Sequence, residues 1–200
     1  RLSTMRKLST IFCFLVYALL PSVTRAEAPV FTIVKEESSV TFFVDASVSI
    51  KGTFDKWDST LTFTSPDVTT GVLDLKIQAD SVNTGSGMKD GKLKSKDFFY
   101  AEQDPLITFV SKKLEQTGPN TIVMTGDFTI RGVTKTETLT FTLEGKRGSG
   151  QGTIKGTMSF NRKDFGMNKG IPFVKISDRV DVTVNLKVKK TSGPIIKFQQ

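Results

Sequence analysis

The chain has 200 residues, with 28 lysines and arginines against 20 aspartates and glutamates, and it contains no histidine. Without histidine, and with Cys13 as the single cysteine, the common zinc sites, haem ligation by histidine and catalysis by Ser-His-Asp or Cys-His groups are excluded. The lysines are scattered and do not form a stripe with aromatic residues, which argues against a nucleic-acid-binding protein.

A secretory signal peptide is predicted for residues 1–26. Residues 5–7 are basic at two of three positions, residues 11–20 read IFCFLVYALL, and Ala26 and Ala28 are small residues suited to cleavage. The apolar run is too short for a membrane-spanning helix, which needs about 20 residues. Cleavage after Ala26 removes the cysteine and four basic residues, so that the net charge falls from +8 to +4. An exported chain without disulfides suits the bacterial periplasm.

Alternating apolar and polar residues predict β-strands through most of the remaining chain. The segments that follow this pattern are, in chain order, FTIVK, SVTFFV, STLTFT, VLDLKIQAD, PLITFVSKK, TIVMTGDFTI, ETLTFTLEG, GTIKGTMSFN and DRVDVTVNLKVKK. Gly, Pro, Asn and Asp occur between them, as turns require. One face of each strand would meet water and the other a core, which is antiparallel behaviour. We therefore predict an antiparallel barrel or sandwich.

The stretch SGMKDGKLKSKDFFYAEQDP interrupts this alternation. Ser86 is a candidate helix cap, and Asp90 lies near the helix start, where a negative charge is favourable. We predict one short helix near residues 86–97 that lies on the barrel with its lysines toward solvent. Phe98 and Phe99 would follow it into the barrel end, either as a lid over a ligand or as a purely structural plug.

Eight segments of the chain resemble the YceI family. They are SSVTFFVDA at 38–46, KGTFDKWDSTLTF at 51–63, SVNTG at 81–85, KDGKLKSKDFF at 89–99, PLITF at 105–109, GDFTIRGVTK at 126–135, SFNRKDFGM at 159–167 and ISDRVDVTV at 176–184. Their order and spacing are kept over nearly all of the mature chain. The resemblance implies an eight-stranded antiparallel lipocalin-like β-barrel, a long isoprenoid-type or fatty ligand inside it, a periplasmic location and a homodimer.

The chain departs from the family at positions that bear on a ligand head group. The family often has histidines where this chain has Asp45, Lys92 and Arg131, and it often has an aspartate where this chain has Tyr100. Lys92 and Arg131 stay charged over the physiological pH range, so a head-group contact that depends on histidine titration is not expected here. The resemblance places the barrel domain at residues 27–190 and leaves 191–200 as a C-terminal tail.

Candidate ligand-binding residues are the apolar side chains expected on the inner faces of the barrel. They are Phe42, Val44, Phe54, Trp57, Phe63, Leu75, Ile77, Phe98, Phe99, Phe109, Phe128, Ile130, Phe141, Phe160 and Phe165. An eight-stranded barrel is just wide enough for side chains or for one small ligand, so ordinary core packing is the alternative for most of them. The candidates for contact with a head group are Lys92, Arg131, Arg162 and Asp164. For Arg162 with Asp164, a structural ion pair that pins a turn is an equal alternative.

We predict a non-catalytic periplasmic binding protein or carrier for a long-chain apolar ligand, such as a polyisoprenoid, an isoprenoid quinone or a fatty-acyl compound. No cofactor, metal, nucleic-acid partner or integral membrane span is expected. The alternative is an interaction module, a β-sandwich or barrel without a ligand cavity that acts by surface contacts. An outer-membrane barrel is disfavoured, because two tyrosines and one tryptophan are too few for aromatic girdles. An enzyme is disfavoured, because no pair of carboxylates or lysines stands out by its spacing.

Overall fold

A computed structural model describes residues 27–145, 149–170 and 173–199 of the chain. The predicted signal peptide, residues 1–26, lies outside the described residues. The described strands form one curled antiparallel sheet around an apolar interior, a partly open barrel, and one short helix lies beside it. The predicted all-β class and antiparallel barrel are confirmed.

In the described residues, eleven strands and one short α-helix follow one another along the chain. The strands are β1 Val30–Ile33, β2 Ser39–Ala46, β3 Ile50–Phe54, β4 Trp57–Thr62, β5 Val72–Gln78, β6 Val82–Asn83, β7 Leu106–Gly118, β8 Thr121–Ile130, β9 Val133–Glu144, β10 Gln151–Asn161 and β11 Ile176–Ser192, and the helix is α1 Gly87–Lys94. Their order across the sheet is β4-β5-β7-β8-β9-β10-β11-β2-β3-β6, and β1 also pairs with β11. The ring of Phe31 in β1 lies 5.7 Å from the ring of Phe63 just after β4, which brings β1 next to β4, the strand at one end of this order.

The number of strands differs from the prediction: the described residues form eleven strands, not eight. The alternation did not reveal β3 and β6 as separate strands. In β3 the inward positions are Ile50, Gly52 and Phe54, and the glycine hides the apolar pattern. A Cβ on Gly52 would lie 2.5 Å from the ring of Phe42, so only glycine lets the two strands approach in this way. Strand β6 has two residues, which is too short for any periodicity to show.

Strand β8 shows how the sequence pattern produces the core. Its residues alternate between half-buried and buried along the whole length, and the buried positions are Ile122, Met124, Gly126, Phe128 and Ile130. Successive side chains in a strand point to opposite faces, so one apolar residue in two is enough to cover the interior side of the sheet. The same alternation in the neighbouring strands places one continuous apolar core inside the barrel.

The predicted helix is present as α1, with Leu93 as its buried residue. Ser86 precedes it, but in the described part of the chain its side chain accepts no capping hydrogen bond. Asp90 instead accepts hydrogen bonds from the backbone N–H and the hydroxyl of Thr84, at 2.8 and 2.6 Å. These bonds tie the helix to the end of β6.

The chain turns back on the barrel after β11, which extends to Ser192. Gly193 has φ +76, a left-handed conformation that favours glycine, and a Cβ there would lie 2.9 Å from the Cα of Pro29. We call residues 193–199 the C-terminal strap. Ile196 and Phe198 in the strap pack against the core. The predicted tail is therefore part strand and part strap within the described residues.

Candidate ligand-binding site

Two cavities lie inside the barrel. The larger has a volume of about 350 Å³ and lies at the end where the C-terminal strap returns. The smaller has a volume of about 60 Å³ and lies at the end next to α1. Among the described residues, no side chain lines both cavities. Within the part of the chain that the structure describes, these are two separate cavities, whereas the family resemblance favoured one tube.

The smaller cavity is surrounded by apolar side chains that converge from the sheet, the helix and the segment after the helix. Nine of the predicted ligand-binding residues line it: Phe42, Val44, Phe54, Ile77, Phe98, Phe99, Phe128, Ile130 and Phe160. Both Phe98 and Phe99 are buried there, with exposed fractions of 3% and 8%. The two phenylalanines that follow the helix thus point into the barrel, as the sequence predicted.

A cluster of three aromatic rings packs at the smaller cavity. The rings of Phe128, Phe160 and Phe165 lie 5.1 to 5.2 Å apart, and the two contacts of Phe165 are edge to face. Phe165 is completely buried. It comes from the 3-10 turn Arg162–Phe165 that follows β10, so this turn is held against the sheet by its aromatic residue.

The charged residue that lines the smaller cavity, among the described residues, is Arg162. It is 5% exposed, and its Nε donates to the carbonyl of Ser177 at 3.1 Å. Its Nη1 donates to the carbonyls of Met167 and, at 2.8 Å, of Lys169. Its Nη2 forms an ion pair with Asp178 at 3.0 Å. The guanidinium therefore fastens the turn after β10 to the beginning of β11, and each of its three nitrogens already has a partner.

The ion pair of Arg162 is thus formed with Asp178 and not with Asp164, the structural partner considered from the sequence. Asp178 also pairs with Lys163 at 2.7 Å. The hydrogen bond from Lys163, followed by the charges of Lys163 and Arg162, lowers the pKa of the Asp178 carboxyl below its ordinary value. Asp178 is therefore ionised at neutral pH, as a partner of two cations must be.

The other three predicted head-group residues lie on the outside of the barrel. Lys92 pairs with Asp97 at 2.6 Å and lies over the ring of Phe98. Arg131 donates to the carbonyl of Gly166 at 2.9 Å. Asp164 is exposed. The structure does not bring these three side chains into the lining of either cavity.

The charge of Asp164 acts on a different carboxyl, that of Glu137 in β9. Partial burial, and after it the negative charge of Asp164, raises the pKa of Glu137 above its ordinary value.

Within residues 27–145, 149–170 and 173–199, no group of three or more acidic side chains is arranged to hold a metal ion. No helix in those ranges combines the length and the apolar character that a membrane crossing needs.

The larger cavity is lined mainly by residues that were not among the predicted ligand-binding residues. Phe63 and Phe141 are the two predicted ligand-binding residues in its lining. The described side chains that join them include Phe31, Leu61, Val68, Leu114, Ile122, Met124, Leu143, Ile154, Val188, Ile195, Ile196 and Phe198. The alternation marked most of these strand residues as inward-facing, but it carries no signal for the strap, because the alternation breaks at Gly193 and Pro194, where the strap begins.

A packed layer separates the two cavities. It consists of Leu73, Leu75, Phe109, Leu139, Met158, Val184 and Leu186, which are all buried and line neither cavity. Different stretches of strand β11 border the two cavities and the layer. Val180 and Val182 line the smaller cavity, Val184 and Leu186 belong to the layer, and Val188 lines the larger cavity. Two predicted ligand-binding residues, Leu75 and Phe109, are thus part of this layer. Trp57 and Phe165 are the remaining two that the described linings leave out.

Comparison with known proteins gives a consistent result. The sequence profile of the YceI-like domain matches residues 31–188. A UPF0312 protein of Pseudomonas syringae pv. tomato is 33% identical over 158 residues, which cover 74% of this chain and 82% of that protein. The crystal structure of BcnA from Burkholderia cenocepacia is 25% identical and superposes with a TM-score of 0.70, covering 78% of this chain and 99% of BcnA.

A more distant structure shares the fold. It is described as a polyisoprenoid binding domain from Saccharophagus degradans implicated in plant cell wall breakdown. It is 13% identical, with a TM-score of 0.60, and the match covers 81% of this chain and 99% of that domain. At this identity the likeness is one of fold.

Proposed function

The chain belongs to the family of YceI-like domains, and on that premise we propose that it is a non-catalytic binding protein or carrier for a long-chain apolar ligand held inside the barrel. The observation that carries this proposal is the cavity of about 350 Å³ in the barrel interior. Ligand pockets in proteins have volumes of roughly 300–1,000 Å³ and are lined mostly by apolar side chains. An interaction module that acts by surface contacts alone would not need such a cavity.

The chemistry of the lining supports an apolar ligand. Most of the described side chains around the larger cavity are aliphatic or aromatic, and those around the smaller cavity are apolar apart from Arg162. Transfer of one methylene group from water to such an environment is favourable by about 0.8 kcal/mol. A polyisoprenoid, an isoprenoid quinone or a fatty-acyl compound would therefore gain affinity from its chain, without a hydrogen bond to the head group.

Of the four predicted head-group residues, only Arg162 lies in the lining of a cavity formed by the described residues. Lys92, Arg131 and Asp164 lie outside the cavities, and the nitrogens of Arg162 are engaged with four partners. A head group that contacts Arg162 would have to displace Asp178 or a backbone carbonyl. We therefore propose that affinity comes chiefly from the chain of the ligand.

The test is to identify what the native protein carries and what the delipidated protein binds. Protein purified from its native host, extracted with organic solvent and analysed by mass spectrometry, should release prenyl or acyl compounds. Delipidated protein should then bind such compounds at a ratio of ~1:1, because a small barrel holds one ligand. Absence of binding for both prenyl and acyl chains would disprove the proposal.

We also propose that the protein is exported to the periplasm after cleavage following Ala26 or Ala28, because residues 1–26 have the layout of a signal peptide. N-terminal sequencing of the exported protein should begin at Glu27 or Pro29. The homodimer stays a prediction, which sedimentation analysis of the native protein would test.

A further inference from the structure

We infer that the larger cavity binds a single chain of medium length, an acyl chain or a short prenyl chain, and that the C-terminal strap forms one of its walls. This inference rests on the proposed function and names the ligand class for one of the two cavities. The family profile ends at residue 188, so the strap, residues 193–199, lies outside the part of the chain that matches the family.

The strap is held like a short additional strand. Lys197 forms a parallel bridge with Asp67. The N–H of Val68 donates to the carbonyl of Lys197 at 3.1 Å, and the N–H of Lys197 donates to the carbonyl of Pro66 at 2.8 Å. These bonds place the strap beside the 3-10 turn Val68–Thr70, whose first residue also lines the cavity.

A pair of glutamines fastens the end of the strap. The side-chain amide of Gln116, in β7, donates to the carbonyl of Gln199 at 2.9 Å. The backbone N–H of Gln199 donates in return to the side-chain carbonyl of Gln116 at 2.7 Å. Strand β7 lies next to the 3-10 turn Val68–Thr70, so both sets of bonds hold the strap on the same side of the cavity. The strap begins at Gly193 beside Pro29 and therefore runs from the end of β11 to β7.

The side chains of the strap alternate as in a strand with one buried face. Ile196 and Phe198 line the cavity and pack against the core, whereas Lys197 between them is exposed. Ile195 also lines the cavity and is 55% exposed. The strap therefore contributes three apolar side chains to the lining of the cavity, and two of them also pack against the core.

The inner end of the larger cavity limits how far a chain can enter the barrel. The packed layer that includes Leu75, Phe109 and Leu186 blocks continuation toward the smaller cavity. A polyprenyl chain could extend further only if this layer repacked, and repacking a dense core is costly. The geometry therefore favours one chain of medium length.

The first experiment is a chain-length series on the delipidated full-length protein. Octanoate, dodecanoate, hexadecanoate, farnesol and solanesol would compete with a fluorescent fatty-acid probe. Affinity should rise roughly three- to fourfold for each methylene while the cavity fills, and it should stop rising once the chain is longer than the cavity. A solanesol affinity that exceeds the farnesol affinity in proportion to its length would overturn the inference.

The second experiment alters the C-terminal strap and the residue that holds it. Phe198→Ala should weaken dodecanoate binding at least about fivefold, because an apolar contact with the ligand is lost. Gln116→Ala should act in the same direction by releasing the strap, and removal of residues 194–199 should have the largest effect. Lys197→Ala is the matched control, since its side chain is exposed while its backbone bonds remain, and it should leave affinity unchanged.

The outcomes separate this inference from the proposed function. If the unaltered protein binds no acyl or prenyl chain, the proposed function fails and the inference fails with it. If the unaltered protein binds dodecanoate but Phe198→Ala and Gln116→Ala bind it equally well, only the strap inference is overturned. Denaturant midpoints of the ligand-free variants, measured alongside, show whether each variant is folded. Phe198→Leu should restore most of the affinity, which a general loss of folding would not allow.

Discussion

The ring of Phe99 meets the ring of Phe42 edge to face, with centroids 6.3 Å apart and an angle of 88° between the planes. Phe54 completes a triangle, at 5.6 Å from Phe42 and 5.7 Å from Phe99. Phe42 and Phe54 belong to β2 and β3, whereas Phe99 follows α1. These three rings therefore attach the segment after the helix to the inner face of the sheet.

Phe99→Ala should lower the free energy of unfolding by about 3–5 kcal/mol, because it empties a well-packed site in the core. Chemical denaturation of the ligand-free protein measures this loss. Phe173→Ala is the matched control, since Phe173 is 106% exposed and its removal should change stability little. Comparable losses for the two variants would show that the aromatic triangle adds no stability.

The ligand affinity of Phe99→Ala distinguishes the two roles considered for this residue. If Phe99 is a structural plug, the substitution leaves the affinity unchanged, and if it is part of a lid, the substitution lowers the affinity.

Arg162→Ala should destabilise the protein by about 3–5 kcal/mol, because it leaves buried carbonyl groups without a donor and removes one partner of an ion pair. Lys163→Ala is the matched control. Lys163 contacts the same carboxylate of Asp178, at 2.7 Å, but its side chain is 48% exposed. A surface ion pair contributes up to about 1 kcal/mol, so the control should lose much less. Equal losses in urea denaturation would contradict the structural role assigned to Arg162.

The pH dependence of stability should contain a contribution from Asp178. Its pKa is lower in the folded protein than its ordinary value of 3.8. A carboxyl of this kind adds stability that is present above the unfolded pKa and is lost as the pH falls through the folded pKa. The stability difference between the unaltered protein and Asp178→Asn should therefore be complete at neutral pH and shrink below about pH 4. A difference that stays constant from neutral to acidic pH would refute this assignment.

The contribution of Glu137 to the pH dependence of stability should have the opposite sign to that of Asp178. The pKa of Glu137 is raised above the ordinary value of 4.5 by partial burial and by Asp164, so its ionised form is less favourable in the folded protein than in the unfolded chain. Glu137→Gln should therefore increase stability at neutral pH, and the gain should fall as the pH drops below the folded pKa. Thermal unfolding at neutral and acidic pH tests this. Asp164→Asn should reproduce part of the gain, and Glu144→Gln, at an exposed position on the same strand, should not.

Two glycines should respond to alanine in opposite directions. A Cβ at Gly91, inside α1, would meet open space, so Gly91→Ala should stabilise the protein by up to about 1 kcal/mol through its higher helix propensity. A Cβ at Gly126 would clash with the carbonyl of Val110 and lie 2.7 Å from the Cα of Ser111, where β7 bulges. Gly126→Ala should therefore cost about 1–3 kcal/mol. Denaturant midpoints of the two variants should move apart; a shift in the same direction would disprove this reading of the bulge.

Local sequence pattern was sufficient for most of the fold. The alternation in TIVMTGDFTI and DRVDVTVNLKVKK predicted the buried faces of β8 and β11, because side-chain direction in a strand depends only on whether a position is odd or even. The charged interruption before Phe98 and Phe99 predicted α1 and the burial of both rings. Gly52 concealed β3, since the feature that matters there is the close approach of Phe42, which belongs to another strand.

The residues that line the candidate site could not be predicted from the alternation of apolar and polar residues alone. The sequence marked Leu75 and Phe109 as inward-facing, in the same way as Ile77 and Phe128. In the structure, however, Leu75 and Phe109 belong to the packed layer, whereas Ile77 and Phe128 line the smaller cavity. The sequence could not assign Asp178 as the partner of Arg162, because the two are brought together by the return of the chain into β11.

By itself, the sequence determined the antiparallel all-β fold, the short helix, the inward-facing apolar set and the absence of histidine chemistry, because each of these follows from residue type and local periodicity. Only the tertiary structure decided where empty volume remains, which inward side chains surround it, and that Ile196 and Phe198 return to form a wall. A cavity is the space left after side chains from many strands have packed together. Its position therefore depends on all of them at once, and no single stretch of the chain specifies it.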